Sequence, residues 1–267
     1  MPSYANKFTR AFAFASMLLA ASAQAAPSPA PKPGQRPPPQ NTYLYLYPSL
    51  NSLSFAQAGS LPLKFSSTTF SAIGLRAGYV FGGWAVEGYG SIASYKINAL
   101  VDEQGVRQSY SSRRLSIDLM RRVFANKGPL RLSGHVRAGL QSQTLPLVYA
   151  DDASPRMGRL ASTNFGIGFA LSSYLGARTR LGLTLKWLPG LSVSAGPTGA
   201  TELKNGFSYE ATLGAQHLLD KNWSIGLFAN LQGAKVSGLL PDLDSNPLPF
   251  EASNSETSLQ LIAGYQF

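Results

Sequence analysis

The chain has 267 residues, 23 basic against 13 acidic side chains, a net charge of +10 and no cysteine. The missing cysteines exclude a disulfide framework and a thiolate metal site, and no run of five or six basic residues marks a nucleic-acid surface despite the positive balance. Hydrophobic residues make up 44% and charged ones only 13%, a poor match for a surface that meets water everywhere.

The first element is an address. Lys7 and Arg10, with no acid beside them, precede an apolar or small stretch over residues 11–22, and Ala23-Gln24-Ala25 fits the small-x-small rule of signal peptidase. That stretch is well short of the roughly 20 residues that span a bilayer, so residues 1–25 read as a signal peptide and the chain as exported. Its removal leaves a mature charge of +8, because it takes two basic residues and no acid. Residues 26–41 are proline-rich and are expected to form a semi-rigid periplasmic linker.

Period two dominates residues 42–267, the expected barrel domain. Ile73, Leu75, Ala77, Tyr79 and Phe81 alternate with Gly74, Arg76 and Gly78, and the pattern recurs, for example at Leu181, Leu183, Leu185 and Trp187 against Arg180, Thr184 and Lys186. Strands are expected near residues 42–55, 68–81, 84–97, 112–124, 130–145, 160–175, 179–193, 207–219, 222–236 and 257–267. In strand one either Tyr43, Tyr45 and Tyr47 or Leu44 and Leu46 face lipid, and Pro48 requires a bulge or a weakly paired position. Short connections (Gly82-Gly83, the ANKGP stretch, Ala177-Arg178, Asp220-Lys221) alternate with long ones near 56–67, 98–111, 146–159, 194–206 and 237–256.

Tight periplasmic turns, longer outer loops and an even strand count are the pattern of a membrane barrel. The fold class expected is all-β: a transmembrane antiparallel up-and-down β-barrel of about ten strands, with eight as the alternative. A soluble barrel or sandwich also alternates, but points its apolar face inward. In hydrocarbon every amide needs a partner, so the first strand must pair with the last. Tyr79, Phe81, Trp84 and Trp223 lie beside turns, where aromatic side chains favour the membrane interface.

The last strand carries apolar residues at every second position back from Phe267, with Tyr265 two before the end. It resembles the C-terminal assembly signal of bacterial outer-membrane proteins. Gln260 fills that signal's polar position, and Ile262 stands where glycine is expected. Residues 74–96, GLRAGYVFGGWAVEGYGSIASYK, resemble the second hairpin of the small outer-membrane barrel group that includes the outer-membrane protein A, outer-membrane protein X and opacity barrels. The resemblance implies a bacterial outer-membrane location, with membrane lipid and the barrel-assembly machinery as partners. Those relatives commonly have eight strands.

The alternation places Arg76, Arg114, Arg122, Arg131, Arg137, Arg180 and Lys186 in the lumen with Glu87, Asp118 and Glu210, seven positive charges against three negative; His135 accompanies them. Arg76 is expected diagonally across from Glu87. Such charges either pair to fill a narrow interior or line an anion-attracting channel. A hydrolase needs a base within reach of its nucleophile, and the two histidines, His135 and His217, both fall near the short-turn end. The outer rim offers Asp151 and Asp152 without a histidine, unlike the omptin-type proteases, which work there with histidine and paired carboxylates. Residues 242–246 begin like a calcium loop, but Pro247 and Ser253 occupy its glycine and closing glutamate positions. The expectation is a non-enzymatic barrel without cofactor or metal, serving envelope integrity or surface interaction through an unidentified surface ligand, with no nucleic-acid partner; a small pore and a barrel hydrolase acting on lipid or peptide are the alternatives.

Overall fold

The computed structural model of the chain describes residues 42–101, 105–125, 131–151, 154–175, 178–196, 198–242, 244 and 246–267. The expected signal peptide, the linker and most of the ANKGP stretch lie outside these residues. Eleven strands form: β1 (Thr42–Gly59), β2 (Leu63–Phe81), β3 (Trp84–Val101), β4 (Arg107–Ala125), β5 (Ser133–Asp151) and β6 (Ser154–Leu175) make one half of a ring. β7 (Thr179–Trp187), β8 (Gly190–Ala195), β9 (Thr201–Leu218), β10 (Trp223–Pro241) and β11 (Pro247–Gln266) make the other.

All pairings are antiparallel between neighbours, and β1 pairs with β11 while β5 pairs with β6, so the ring closes; β8 is laddered to β6 alone. β7 and β8 run one after the other along β6, which makes ten strands around the circumference. Pro189, which has no amide to donate, marks the break between them. The ladder is bridged there by Phe165 N–H to the Pro189 carbonyl and Leu188 N–H to the Ser208 carbonyl, both at 2.9 Å.

Strand one resolves with Tyr45 and Tyr47 buried inside and Leu46 outside. Pairing of β1 with β11 skips Tyr47 and Pro48, so the missing proline amide falls in a gap of the ladder. Gly74 and Gly78 lie opposite Tyr47 and Tyr43. A Cβ on either glycine would run into the tyrosine ring, so the glycine spacing makes room for rings that fill the lumen.

The long loops expected from the sequence are instead strand. Most strands run to 18–22 residues, so strand takes up most of each expected loop. The physical reason is a reversal of sidedness midway along the barrel axis. In the half carrying Thr42 and Phe267, called the terminal end, apolar residues face out: Ile73, Ile117, Leu140, Leu213, Leu227 and Leu261 are 51–61% exposed. In the far half Ser52, Ser54, Ser66, Thr68, Lys96 and Thr257 face out, while Leu53, Phe55, Tyr95, Ile97, Leu147 and Leu160 are packed inside. The first half is therefore solvated by lipid and the second is a water-exposed turret with its own core.

Aromatic residues frame the apolar belt, as membrane barrels require at both interfaces. At the terminal end Tyr79 stacks on Phe81 at 5.8 Å, and Tyr265 meets Trp223 and Phe267 edge-on at 5.0 and 4.8 Å. At the other border stand Trp187, Phe207 and Phe70, the last 82% exposed on a bulge of β2.

Candidate functional site

The lumen is built in three levels. Beneath the turret core lies a charged layer contributed by β2, β3, β4, β5, β7, β9 and β11. Glu87 and Asp118 are direct cross-strand partners, an arrangement that would repel if left alone. Arg137 Nη2 answers both, at 2.7 Å from Glu87 Oε1 and 2.8 Å from Asp118 Oδ2. Lys186 Nζ lies 2.5 Å from Asp118 Oδ2, and Tyr43 donates its hydroxyl to Glu87 at 2.6 Å.

Glu256 is the carboxylate that sequence reasoning missed, because residues 237–256 looked like a loop. It lies 3.7 Å from Arg114 and accepts hydrogen bonds from Asn51 Nδ2 at 2.8 Å, Ser112 Oγ at 3.2 Å and Gln232 Nε2 at 3.2 Å. The available signal was the run Glu256, Ser258, Gln260, whose parity matches the lumen-facing positions of the last strand. Glu210 accepts from Asn230 Nδ2 at 3.2 Å. With Glu256 included, four lumen cations (Arg76, Arg114, Arg137, Lys186) meet four carboxylates (Glu87, Asp118, Glu210, Glu256). The seven-to-three excess read from the sequence does not describe this layer.

The remaining expected lumen residues fall elsewhere. Arg131 is exposed two residues before the start of β5, with φ 42°, and takes no part in the strand's alternation, which begins at Ser133. Arg76 is diagonal to Glu87 in register, but its guanidinium sits over the Tyr89 ring at 5.5 Å while Glu87 is taken by Arg137 and Tyr43. Arg122, His135 and Arg180 line a cavity of about 210 Å³ below the charged layer. That basin opens at the terminal end, where Arg122 and Arg180 are exposed.

Above the charged layer the interior turns apolar: Leu53, Phe55, Tyr95, Ile97, Leu145 and Leu147 pack across the lumen with Leu160, Val236 and Phe250. Gln57 seals the far end, exchanging two hydrogen bonds with the Val148 backbone at 2.9 and 3.0 Å.

Both histidines lie toward the terminal end. His217 Nδ1 hydrogen-bonds Thr179 Oγ1 at 3.0 Å. The carboxylate of Asp242 accepts the N–H groups of Asp244 and Asn246 at 2.9 and 2.8 Å, so it shapes a turn. Among the described residues no group of three acidic, histidine or cysteine side chains is placed to hold a metal ion. Tyr265 and Phe267 stand on the outer wall at the terminal rim, and Phe267 N–H bonds the Thr42 carbonyl at 2.9 Å, stitching the two ends of the barrel together. Ile262 faces the lumen, 2% exposed, and packs with Tyr45, Tyr47 and Tyr89. A larger side chain therefore fills the space that glycine would leave.

No protein-family model matches the chain, and no curated protein matches it. Among solved structures, the outer-membrane protease OmpT of Escherichia coli is similar at 11% identity, covering 88% of this chain and 100% of its own, with a TM-score of 0.47. An outer-membrane channel from Pseudomonas putida F1 is similar at 14% identity, covering 90% and 100%, with a TM-score of 0.43. OprG of Pseudomonas aeruginosa, also an outer-membrane protein, is similar at 12% identity, covering 85% and 96%, with a TM-score of 0.36. By its own closed ring, exposed apolar belt and aromatic rims, the chain is an antiparallel transmembrane β-barrel.

Proposed function

We propose that the chain is a non-enzymatic integral barrel with a closed lumen, whose turret meets the cell's surroundings and whose terminal end faces the periplasm. The observation that carries this reading is the apolar core filling the turret above a layer in which four lumen cations balance four buried carboxylates. Water and ions have no low-energy route through such a core, since each would shed its hydration without replacement. The turret offers a stiff hydrophilic wall of strands in place of mobile loops, suited to contact at the cell surface or to a role in envelope integrity. Proteoliposome swelling in a small sugar tests it. Swelling no faster than in protein-free vesicles supports a closed barrel; fast swelling proportional to protein content contradicts it.

A further inference from the structure

The basin at the terminal end has an imbalance that the rest of the lumen lacks. Arg76, Arg122 and Arg180 all line it, and none of them forms an ion pair within the described residues. Arg76 Nε is buried without a hydrogen-bond partner. Arg137 and Glu87, also in the wall, neutralise each other. Arg76 belongs to the balanced charged layer above, so Arg122 and Arg180 are the two guanidiniums left uncompensated around a space of about 210 Å³, with Met120 and Phe228 supplying an apolar side.

We propose that this basin binds a phosphate monoester. Guanidinium groups present fork-shaped donors that match phosphate oxygens. Two uncompensated positive charges match a phosphate dianion better than a singly charged carboxylate, and low-dielectric walls strengthen their field. The apolar side accommodates the organic body of an ester, and the volume admits a ligand of headgroup size. The charged layer and turret core close the far side, so the basin is a blind site filled from the periplasm. The chain's own residues 26–41 carry Lys32 and Arg36 and no acid, which makes that segment a poor electrostatic match for the basin. The same monoester chemistry is present in free phosphate esters and in the headgroup of a phosphatidic acid.

Calorimetric titration of the full barrel in neutral detergent tests the proposal, using phenyl phosphate and, separately, dihexanoyl phosphatidic acid. The comparison protein is the double variant Arg122→Gln/Arg180→Gln; both side chains are exposed at the rim and outside the buried ion pairs. Heat-modifiable gel migration confirms that it remains folded. Binding that weakens at least about tenfold in the variant supports the site. Binding of phenyl phosphate then identifies a free ester as sufficient, whereas binding of phosphatidic acid alone identifies a lipid headgroup. Absence of binding by both probes, or equal affinity in the variant, overturns the proposal. Proteoliposome swelling reads closure of the barrel separately, so the two results are distinguishable.

Discussion

Arg114 of β4 and Glu256 of β11 approach to 3.7 Å across the lumen, both almost wholly buried, at the level where the charged layer gives way to the apolar core. Glu256 is also the acceptor shared by Asn51, Ser112 and Gln232. Removing it leaves a buried guanidinium without its countercharge. Breaking such a pair from one side costs about 3–5 kcal/mol, so Glu256→Ala is expected to destabilise the barrel on that scale. Glu256→Gln, which keeps acceptor geometry but loses the charge, should cost less. Urea unfolding in lipid vesicles followed by tryptophan fluorescence measures both; an unchanged midpoint for Glu256→Ala would refute the hub role.

The reversal of sidedness predicts opposite responses to one substitution on the same outer wall. Leu227 lies within the lipid-facing belt, where arginine costs about 2–4 kcal/mol near the bilayer midplane. Ser54 faces out from the turret, where Ser54→Arg should change stability by no more than about 0.5 kcal/mol. Equal losses for Leu227→Arg and Ser54→Arg in the same vesicle assay would place the membrane boundary elsewhere.

In the turret core, Phe55 is 1% exposed and tilts against Phe65 at 5.1 Å. Phe55→Ala should cost about 3–5 kcal/mol by lost burial and the cavity left behind. A soluble-type core above the bilayer is the only reason for so large an effect at this height, since a hydrated loop region would tolerate the change.

Asp220 offers a test by pH. Its exposed carboxylate accepts the backbone N–H groups of Trp223 and Asn222, both at 2.7 Å, and these bonds hold its pKa below the ordinary value. A carboxyl depressed in the fold adds stability above its unfolded pKa and loses it as pH falls through the folded one. Asp220→Ala should therefore be less stable than the parent at neutral pH, with the gap closing in acid. A gap independent of pH, read from unfolding curves across the acid range, would show that the charge on the turn is irrelevant.

Ten strands around the ring were legible in the sequence because the lipid-facing half obeys a simple rule: Leu, Ile and Phe at alternate positions, small or charged residues between. The turret was not legible because the rule inverts there. Along β1 the inward side passes from Tyr45 and Tyr47 through Asn51 to Leu53 and Phe55, while the outward side passes from Leu46 to Ser52 and Ser54. Serine-rich stretches that resemble loops are in fact outward faces of strands. Bulges also shift parity, as at Phe70-Ser71 in β2 and Gly206-Phe207 in β9, and hide the period from a reading along the chain. The lumen cations were visible as residue types, but their balance was not, since Glu256 lay in the supposed loop and Arg131 beyond its strand.

Closure of the lumen is tested most directly by single-channel recording of the purified barrel in planar bilayers, with Phe55→Ser/Leu147→Ser/Leu160→Ser as the unplugged comparison. The parent protein is predicted to give no unitary steps beyond those of protein-free membranes at either polarity. Regular steps from the parent, unchanged when the core is replaced, would contradict a barrel closed by its turret.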